Sequence, residues 1–483
     1  MAKEFIIAIE LGSSKMTGIA GKKNVDGSIN VLAVAKEDST SCIRKGVVYN
    51  IDKTTTCITN LVNKLRNNLQ TEIAQVYVGV GGQSLRSTKN TIVRDLAADT
   101  IVSQDMVDSI MDGNRAMTYP EHVILEASVQ EYKVDQQYQS DPVGIECHRL
   151  EGNILNILWK RQFYRNLKKC LDNAGIHVAE MYLAPLALAD NVLTDTERRT
   201  GCLLVDLGAD TTTVAVYSRN ILRHLAVIPL GAANITKDVA SLQIDDSEAE
   251  KLKVAHGHAI AELKNDNTDD PELRIGGDRS VTQSKLDEIV SARAEEIIEN
   301  VWYQVPAEYR DKLLAGIVIT GGGSNLAATE KAFKQYTGID KVRTAGFVNL
   351  SVQAISPTVA EQVKHDGTMN TVISLLAKGN ENCAGNIVNN TLFPNESEDD
   401  TTTPRTTSGN RTTAGIVDKD EEKQKAEAEA ARKKAEAEQQ AEAERLAKEK
   451  EEEEERRRKA PAHKLMGWFK NLGKAIVTGD GEE

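Results

Sequence analysis

Two short runs place the same residue types in the same order: Ile9-Glu10-Leu11-Gly12-Ser13-Ser14-Lys15 and Val205-Asp206-Leu207-Gly208-Ala209-Asp210-Thr211 align without a gap. Each holds an apolar strand, an acidic residue, a glycine and then small or hydroxyl residues before a second apolar run. A turn so composed bares backbone N–H groups and hydroxyls in a concavity that suits phosphate oxygens, and its glycine lets another group approach the backbone closely. Glu10 and Asp206, just before the turns, are of the type that orients a hydrated Mg2+ between two loops. One such hairpin is ordinary in a sheet; two in matching register imply a duplicated domain that clamps phosphates between its halves. A third run, Ile317-Val318-Ile319-Thr320-Gly321-Gly322-Gly323-Ser324, reads as a strand feeding a glycine-rich turn and a helix. Its bare backbone and helix N-terminus suit the adenine and ribose face of a nucleotide.

Loops of this kind need an α/β scaffold to hold them. Through about residue 380 apolar strand runs alternate with amphipathic helical stretches. Strands are expected over Phe5–Glu10, Val76–Val80, Ile154–Leu158, Cys202–Asp206, Thr213–Tyr217 and Gly316–Thr320. Helices are expected over Lys53–Leu69, Arg161–Ala174, Ala233–Ser241, Asp246–His256, Gln283–Val301 and Ala327–Tyr336. The 483 residues leave room for about three domains.

After Lys378 the composition changes. Residues 381–420 read as a flexible linker rich in Asn, Thr, Ser and Gly. Residues 421–460 form a charged Ala/Glu/Lys/Arg spacer, in which Glu421–Lys459 offers Leu446 alone as an apolar residue larger than Ala. Such a segment supports i,i+4 charge pairs but has no seam for a coiled coil. Residues 461–478 change again: Leu465, Phe469, Leu472 and Ile476 recur at helical spacing, flanked by Met466 and Trp468, with Lys464, Lys470 and Lys474 as cationic heads. That is the build of an amphipathic helix lying in an anionic membrane interface.

The net charge of −13 is shared by both parts of the chain, and aromatics are 4% of the residues. Both features argue against nucleic acid as a partner. Cys42, Cys57, Cys147, Cys170, Cys202 and Cys383 never reach a C-x-x-C spacing and read as reduced core residues. No apolar run is long enough to cross a bilayer, and the N-terminus lacks a signal peptide's apolar core. A cytosolic protein is expected.

Taken together the three motifs resemble the actin/Hsp70/sugar-kinase ATPase superfamily, which carries two phosphate motifs and an adenosine motif in this order. Within it the chain is similar to the FtsA family of bacterial cell-division proteins. The stretches that carry this are Lys45–Asp52, Val78–Gly82, Asp141–Gly144 with Arg149–Gly152, Leu222–His224 with Ile228–Gly231, and Ser247–Lys253. The resemblance covers residues 4–380 and resumes at the terminal amphipathic segment.

It implies an actin-like two-domain ATPase fold, with duplicated RNase H-like halves and an FtsA-type inserted subdomain. Subdomain 1A would comprise residues 1–82, 163–199 and 346–380, and the inserted subdomain 1C residues 83–162. Subdomain 2A would comprise 200–232 and 312–345, and 2B 233–311. ATP and Mg2+ are the implied ligands. Gly12, Ser13, Ser14 and Lys15 would sit on the β/γ-phosphate side, and Gly208, Ala209, Asp210, Thr211 and Thr212 would form the second loop. Gly321, Gly322, Gly323 and Ser324 would hold the adenosine, with Glu250 and Lys253, i,i+3 on one helix face, near ribose and adenine.

The same resemblance implies self-polymerisation, with head-to-tail contacts through the inserted subdomain. It also implies that 2B receives the C-terminal tail of FtsZ. The helix around Gln283–Val301, with Arg293, is the expected cationic side for that acidic peptide. The implied role is a peripheral protein on the cytoplasmic face of the cell membrane at the division septum. There it would anchor FtsZ filaments and help recruit later divisome proteins.

Two departures from the superfamily pattern matter. Asp210 stands where Gly-Gly-Gly is common, so a carboxylate near phosphate either weakens nucleotide affinity or recruits Mg2+. Superfamily ATPases such as MreB carry a Glu in a Glu-Pro-x-Ala context to orient the attacking water; here Ala184 precedes Pro185, and alanine cannot orient water. Slow or negligible hydrolysis is expected, with nucleotide acting as a conformational ligand. A sugar-kinase-like phosphotransferase is the rival reading, but no candidate carboxylate base beside a sugar pocket is recognisable. A chaperone of the Hsp70 type would need a β domain after residue 380, where the chain is too polar. A pilus-assembly relative of FtsA fits the core, and the terminal amphipathic segment counts against it.

Overall fold

Ile6-Ile7-Ala8-Ile9 is apolar at every position, the pattern of a strand covered on both faces, and in the computed structural model these residues are buried within the strand Ile6–Leu11. The structure describes residues 4–97, 100–261, 270–276 and 279–384. The expected linker, spacer and terminal amphipathic helix, with Lys464, Leu465, Met466, Trp468, Phe469, Leu472 and Ile476, lie outside the described residues. Among the described residues no helix is long and apolar enough to cross a membrane.

The strand turns at Gly12-Ser13-Ser14 and returns as Lys15–Lys23, pairing antiparallel from Ile6↔Gly21 to Leu11↔Met16. A third antiparallel strand, Ile29–Asp38, follows. The chain then forms the helix Ile51–Leu69, whose N-terminus is capped by Asn50 Oδ1 accepting from Lys53 N at 3.0 Å. Ile58, Leu61, Val62, Leu65 and Leu69 form its buried stripe. Gln75–Val80 comes back parallel to Ile6–Leu11, and His177–Leu183 adds parallel to that.

The second half repeats this plan. Cys202–Leu207 and Thr212–Ser218 form the hairpin and Ile221–Ile228 pairs antiparallel with it. The helix Gln283–Gln304 buries Leu286, Val290, Ala294, Ile297, Ile298 and Val301, Gly316–Thr320 returns parallel to Cys202–Leu207, and Val342–Thr344 adds beyond it. In both sheets these five strands therefore run in the order third, second, first, fourth, fifth, and Val352–Ala354 adds beside Ile29–Asp38 in the first. This is the duplication that the paired motifs imply, and the fold is actin-like.

Between Gln75–Val80 and the helix Arg161–Asn173 the chain builds a separate unit. Strands Arg86–Asp95, Arg149–Lys160, His122–Val134 and Gln137–Gln139 lie side by side in that order, with the helix Gln104–Arg115. Its core gathers Val107, Ile110, Leu150 and Ile154. Its first strand touches Ile221–Ile228 through Ala226↔Arg86, so the insertion and the second half share one nine-stranded sheet. Sequence periodicity had given only Ile154–Leu158 of this unit, since its outer strands are half-exposed and little alternates cleanly.

The expected elements form within a few residues of their expected ends, with one difference. The glycine run after Gly316–Thr320 winds into a 3-10 turn, Gly322–Asn325. The next helix begins only at Thr329, behind Ala328 in the left-handed region. Its N-terminus therefore does not follow the glycines directly. At the far end of the described chain, residues 379–384 are clasped to the first half. Cys383 N donates to Phe5 O at 2.8 Å, Ala74 N to Cys383 O at 2.9 Å, and Phe5 N to Asn382 Oδ1 at 3.2 Å.

Candidate functional site

The two hairpin turns face one cavity of about 620 Å3, lined from both halves, a size that holds a nucleotide-like ligand. Each turn is shaped by groups outside itself. Ser39 Oγ donates to Gly12 O at 2.6 Å, and Gly46 N donates to Ser13 Oγ at 2.8 Å. In the second turn Gly208 N donates to Thr211 O at 2.9 Å, while Ala232 N and Ala233 N of the next helix donate to Gly208 O and Ala209 O at 3.0 and 2.8 Å.

Gly46 and Gly82 explain each other. Both have positive φ, 71° and 91°, and their backbones cross so closely that a Cβ on Gly46 would lie 2.5 Å from Gly82 Cα. A Cβ on Gly82 would overlap the Gly46 carbonyl. This crossing brings the Lys45–Gly46 turn over Gly81-Gly82 and up to the hairpin turns.

Beside the turns two carboxylates enter the cavity, Glu10 and Asp206. Burial, and after it the Asp206 carboxylate, pushes the Glu10 pKa to about 8, against the opposing pull of Lys15 and Lys36. Burial alone pushes Asp206 to about 6. A divalent cation would reverse the penalty on both. Among the described residues no cluster of three or more His, Cys, Asp or Glu is placed to hold a metal. Two carboxylates with water and phosphate oxygens match the partly hydrated way Mg2+ is held, so the donor set fits Mg2+ bound together with a phosphate ligand.

Opposite the turns, Lys253 Nζ donates to Glu250 Oε2 at 2.7 Å, Thr236 Oγ1 at 2.9 Å and Ala232 O at 3.2 Å. These use all three of its N–H bonds. Lys253 is 7% exposed and Glu250 51% exposed, so the lysine fixes the pair and the glutamate is the member open to a ligand. Gly321, at φ 84°, passes so close to Asp206 that a side chain there would overlap the Asp206 carboxylate.

Most of the expected site residues meet here. Glu10, Gly12, Ser13, Ser14, Lys15, Asp206, Gly208, Ala209, Thr211, Glu250, Lys253 and Gly321–Gly323 all line the cavity. Three do not. Thr212 is buried and donates to Leu230 O at 2.9 Å, and Ser324 is buried and donates to Gly321 O at 2.7 Å. Asp210 turns to the other half and accepts from Lys45 N at 3.1 Å. Ala184 does line the cavity and brings no carboxylate to it.

Arg293 lies elsewhere and is not an open cation. Its Nε donates to Asp238 Oδ2 at 2.5 Å and its Nη1 to Glu296, and Asp238 first among its partners holds its pKa above the ordinary value. The helix Gln283–Gln304 carries Lys285 and Arg293 against Asp287, Glu288, Glu295, Glu296 and Glu299, so the expected cationic side for an acidic peptide is absent from it. Sequence reading passed over Ser39, Thr236, Lys364 and Thr368, of which the last two line the cavity. Nothing in their local sequence marks them, and Lys364 and Thr368 arrive from a distant part of the chain. Lys45–Gly46 sat in a stretch already singled out, and only its tertiary crossing reveals what it does.

Two family models match the chain: "Cell division protein FtsA" over residues 203–373 and "SHS2 domain inserted in FTSA" over residues 82–158. Cell division protein FtsA of Neisseria meningitidis serogroup B is 31% identical over 366 residues, covering 71% of this chain and 88% of that protein. Its counterpart in Porphyromonas gingivalis is 29% identical over 340 residues, covering 68% and 70%. Among solved structures, a chain of the PilM-PilN type IV pilus biogenesis complex is similar in fold at TM-score 0.50 and 14% identity, over 77% of this chain and 97% of that one.

Proposed function

The chain belongs to the FtsA family of cell-division proteins, and from that premise we propose that it binds ATP with Mg2+ between its halves and assembles on the membrane as an anchor for FtsZ. The observation that carries this reading is the pair of hairpin turns, one from each copy of a duplicated half, facing a single cavity with Glu10 and Asp206 beside them. Bound Mg2+ would supply positive charge between the two carboxylates and the phosphates. Gly12–Lys15 and Ala209–Thr211 would present N–H groups and hydroxyls to the phosphates, with Gly208 closing the second turn, and Glu250, held by Lys253, would meet the ribose. Ala184 offers nothing to orient water, so nucleotide acts mainly on conformation and assembly, with slow turnover.

Residues 461–478 supply the membrane contact in this reading, binding anionic lipid on the cytoplasmic face at the septum. One such helix binds modestly, and a polymer of many chains multiplies it. The inserted subdomain provides contacts between protomers, and residues 233–311 take the FtsZ tail at a face other than the Arg293 ion pair. Later divisome proteins join the assembled layer.

Co-sedimentation of the full chain with anionic vesicles, ATP and Mg2+ tests the reading. The intact chain should pellet and then carry FtsZ down with it, whereas a Leu465→Asp/Phe469→Asp variant should stay in solution. If both remain soluble, the terminal segment is no anchor and a phosphotransferase screen becomes the next step.

A further inference from the structure

Asp210 is the residue by which the second turn departs from a plain glycine loop, and its carboxylate leaves the cavity. Its Oδ2 accepts from Lys45 N at 3.1 Å, while the next amide, Gly46 N, donates to Ser13 Oγ at 2.8 Å. One dipeptide thus gives one N–H to each of the two turns. The dipeptide is itself held to the first half, because Gln83 N donates to Lys45 O at 2.8 Å and Gly46 is locked against Gly82. Lys45 has φ 51°, a left-handed conformation that a residue with a side chain adopts at a cost and that surrounding contacts must maintain.

We propose that Asp210 is a positioning residue that latches the cleft shut, tying the second turn to the first half through the Lys45–Gly46 backbone and so setting how fast a bound nucleotide leaves. The inference rests on the nucleotide reading above. The link crosses between the halves at the mouth of both turns, so opening the cleft must break it. It also explains the departure in the second turn: the carboxylate is engaged by an N–H donor and adds its charge to a peptide dipole rather than to the phosphates. Glycine at 210 would leave the Lys45 amide without this acceptor.

The experiment compares the full-length wild type with D210A and D210N, since asparagine keeps a carbonyl oxygen as acceptor and alanine does not. Release of a fluorescent N-methylanthraniloyl ATP, chased with ATP and Mg2+, should be about tenfold faster in D210A, the factor carried by one hydrogen bond at a half-exposed site. D210N should stay within about threefold of wild type. Hydrogen exchange in a peptide spanning residues 43–48, measured without nucleotide, should rise in D210A and much less in D210N. Wild-type release and exchange in D210A would overturn the latch. Equal behaviour of D210N and D210A would overturn it too, because charge and not an acceptor oxygen would then be what matters. If the wild type fails to retain the fluorescent ATP, the nucleotide reading falls, and the ligand-free exchange still decides for or against the link.

Discussion

Glu10 is held near a pKa of 8 by burial and by its neighbour Asp206, and that has a measurable cost. A carboxyl whose folded pKa lies above its unfolded value keeps a proton that the unfolded chain has released. Between about pH 4.5 and 8 the native state therefore binds more protons, and stability falls as pH rises through that window. At pH 5 the folded carboxyl keeps its proton and the unfolded one is about three-quarters ionised, so only a small part of that cost has built up. A Glu10→Gln variant mimics the protonated form, so its ligand-free melting midpoint should exceed that of wild type by several degrees at pH 8 and by little at pH 5. Equal midpoints at pH 8 in thermal scans would show that Glu10 is not penalised there. The carboxyl type and its place before the turn were legible in the sequence. Its proximity to Asp206 was legible only through the matching register of the two runs, and the burial not at all.

Elements carry the next level of organisation, and here the informative feature is a crossing rather than a strand. Gly82 (φ 91°) meets the Gly46 backbone, whereas Gly27 (φ 82°) has nothing within 4 Å of where a Cβ would stand. Both substitutions to alanine incur the left-handed strain of about 1 kcal/mol, but only Gly82→Ala also drives a methyl into main chain. Chemical denaturation should show Gly27→Ala losing about 1 kcal/mol and Gly82→Ala losing about 3 kcal/mol or more. Near-equal losses would mean that the crossing can relax. The hairpins and the long helices could be read from period and glycine placement, because both are local. The Lys45–Gly46 turn could not, since its role depends on a loop more than thirty residues later. Asp210 was conspicuous as a departure, yet both roles expected for it concerned the ligand, because sequence shows a charge but not which way it turns. Arg293 stands as a cation in the sequence, whereas the structure pairs it with Asp238 of a distant helix and with Glu296 one turn on, and only the second pairing is visible in the sequence.

Across the whole molecule the duplication was readable and the insertion was only partly so. Two matched motifs announce two copies of one half, but a shared nine-stranded sheet arises from a single bridge, Ala226↔Arg86, that no periodicity reveals. The clasp of residues 379–384 was likewise unforeseen, because the composition changes nearby and draws attention to the linker instead. Asn382 Oδ1 accepts from Phe5 N at 3.2 Å and from Ala384 N at 3.0 Å. An Asn382→Ala variant should lose about 1 kcal/mol in denaturant titrations; an unchanged midpoint would mean that water replaces both bonds without cost.

That clasp gives the molecule a mechanical property. Ala384 pairs antiparallel with Ile73, so the last described residues run opposite to the central strands of the first half. A pull at residue 384 along that direction is met in shear, with the bonds at Phe5 and Ala74 loaded together instead of peeling one after another. The strand on which that load falls, Ile6–Leu11, carries Glu10 near its far end and runs into the first turn. Tension at residue 384 and occupancy of the cavity thus act on opposite ends of the same strand.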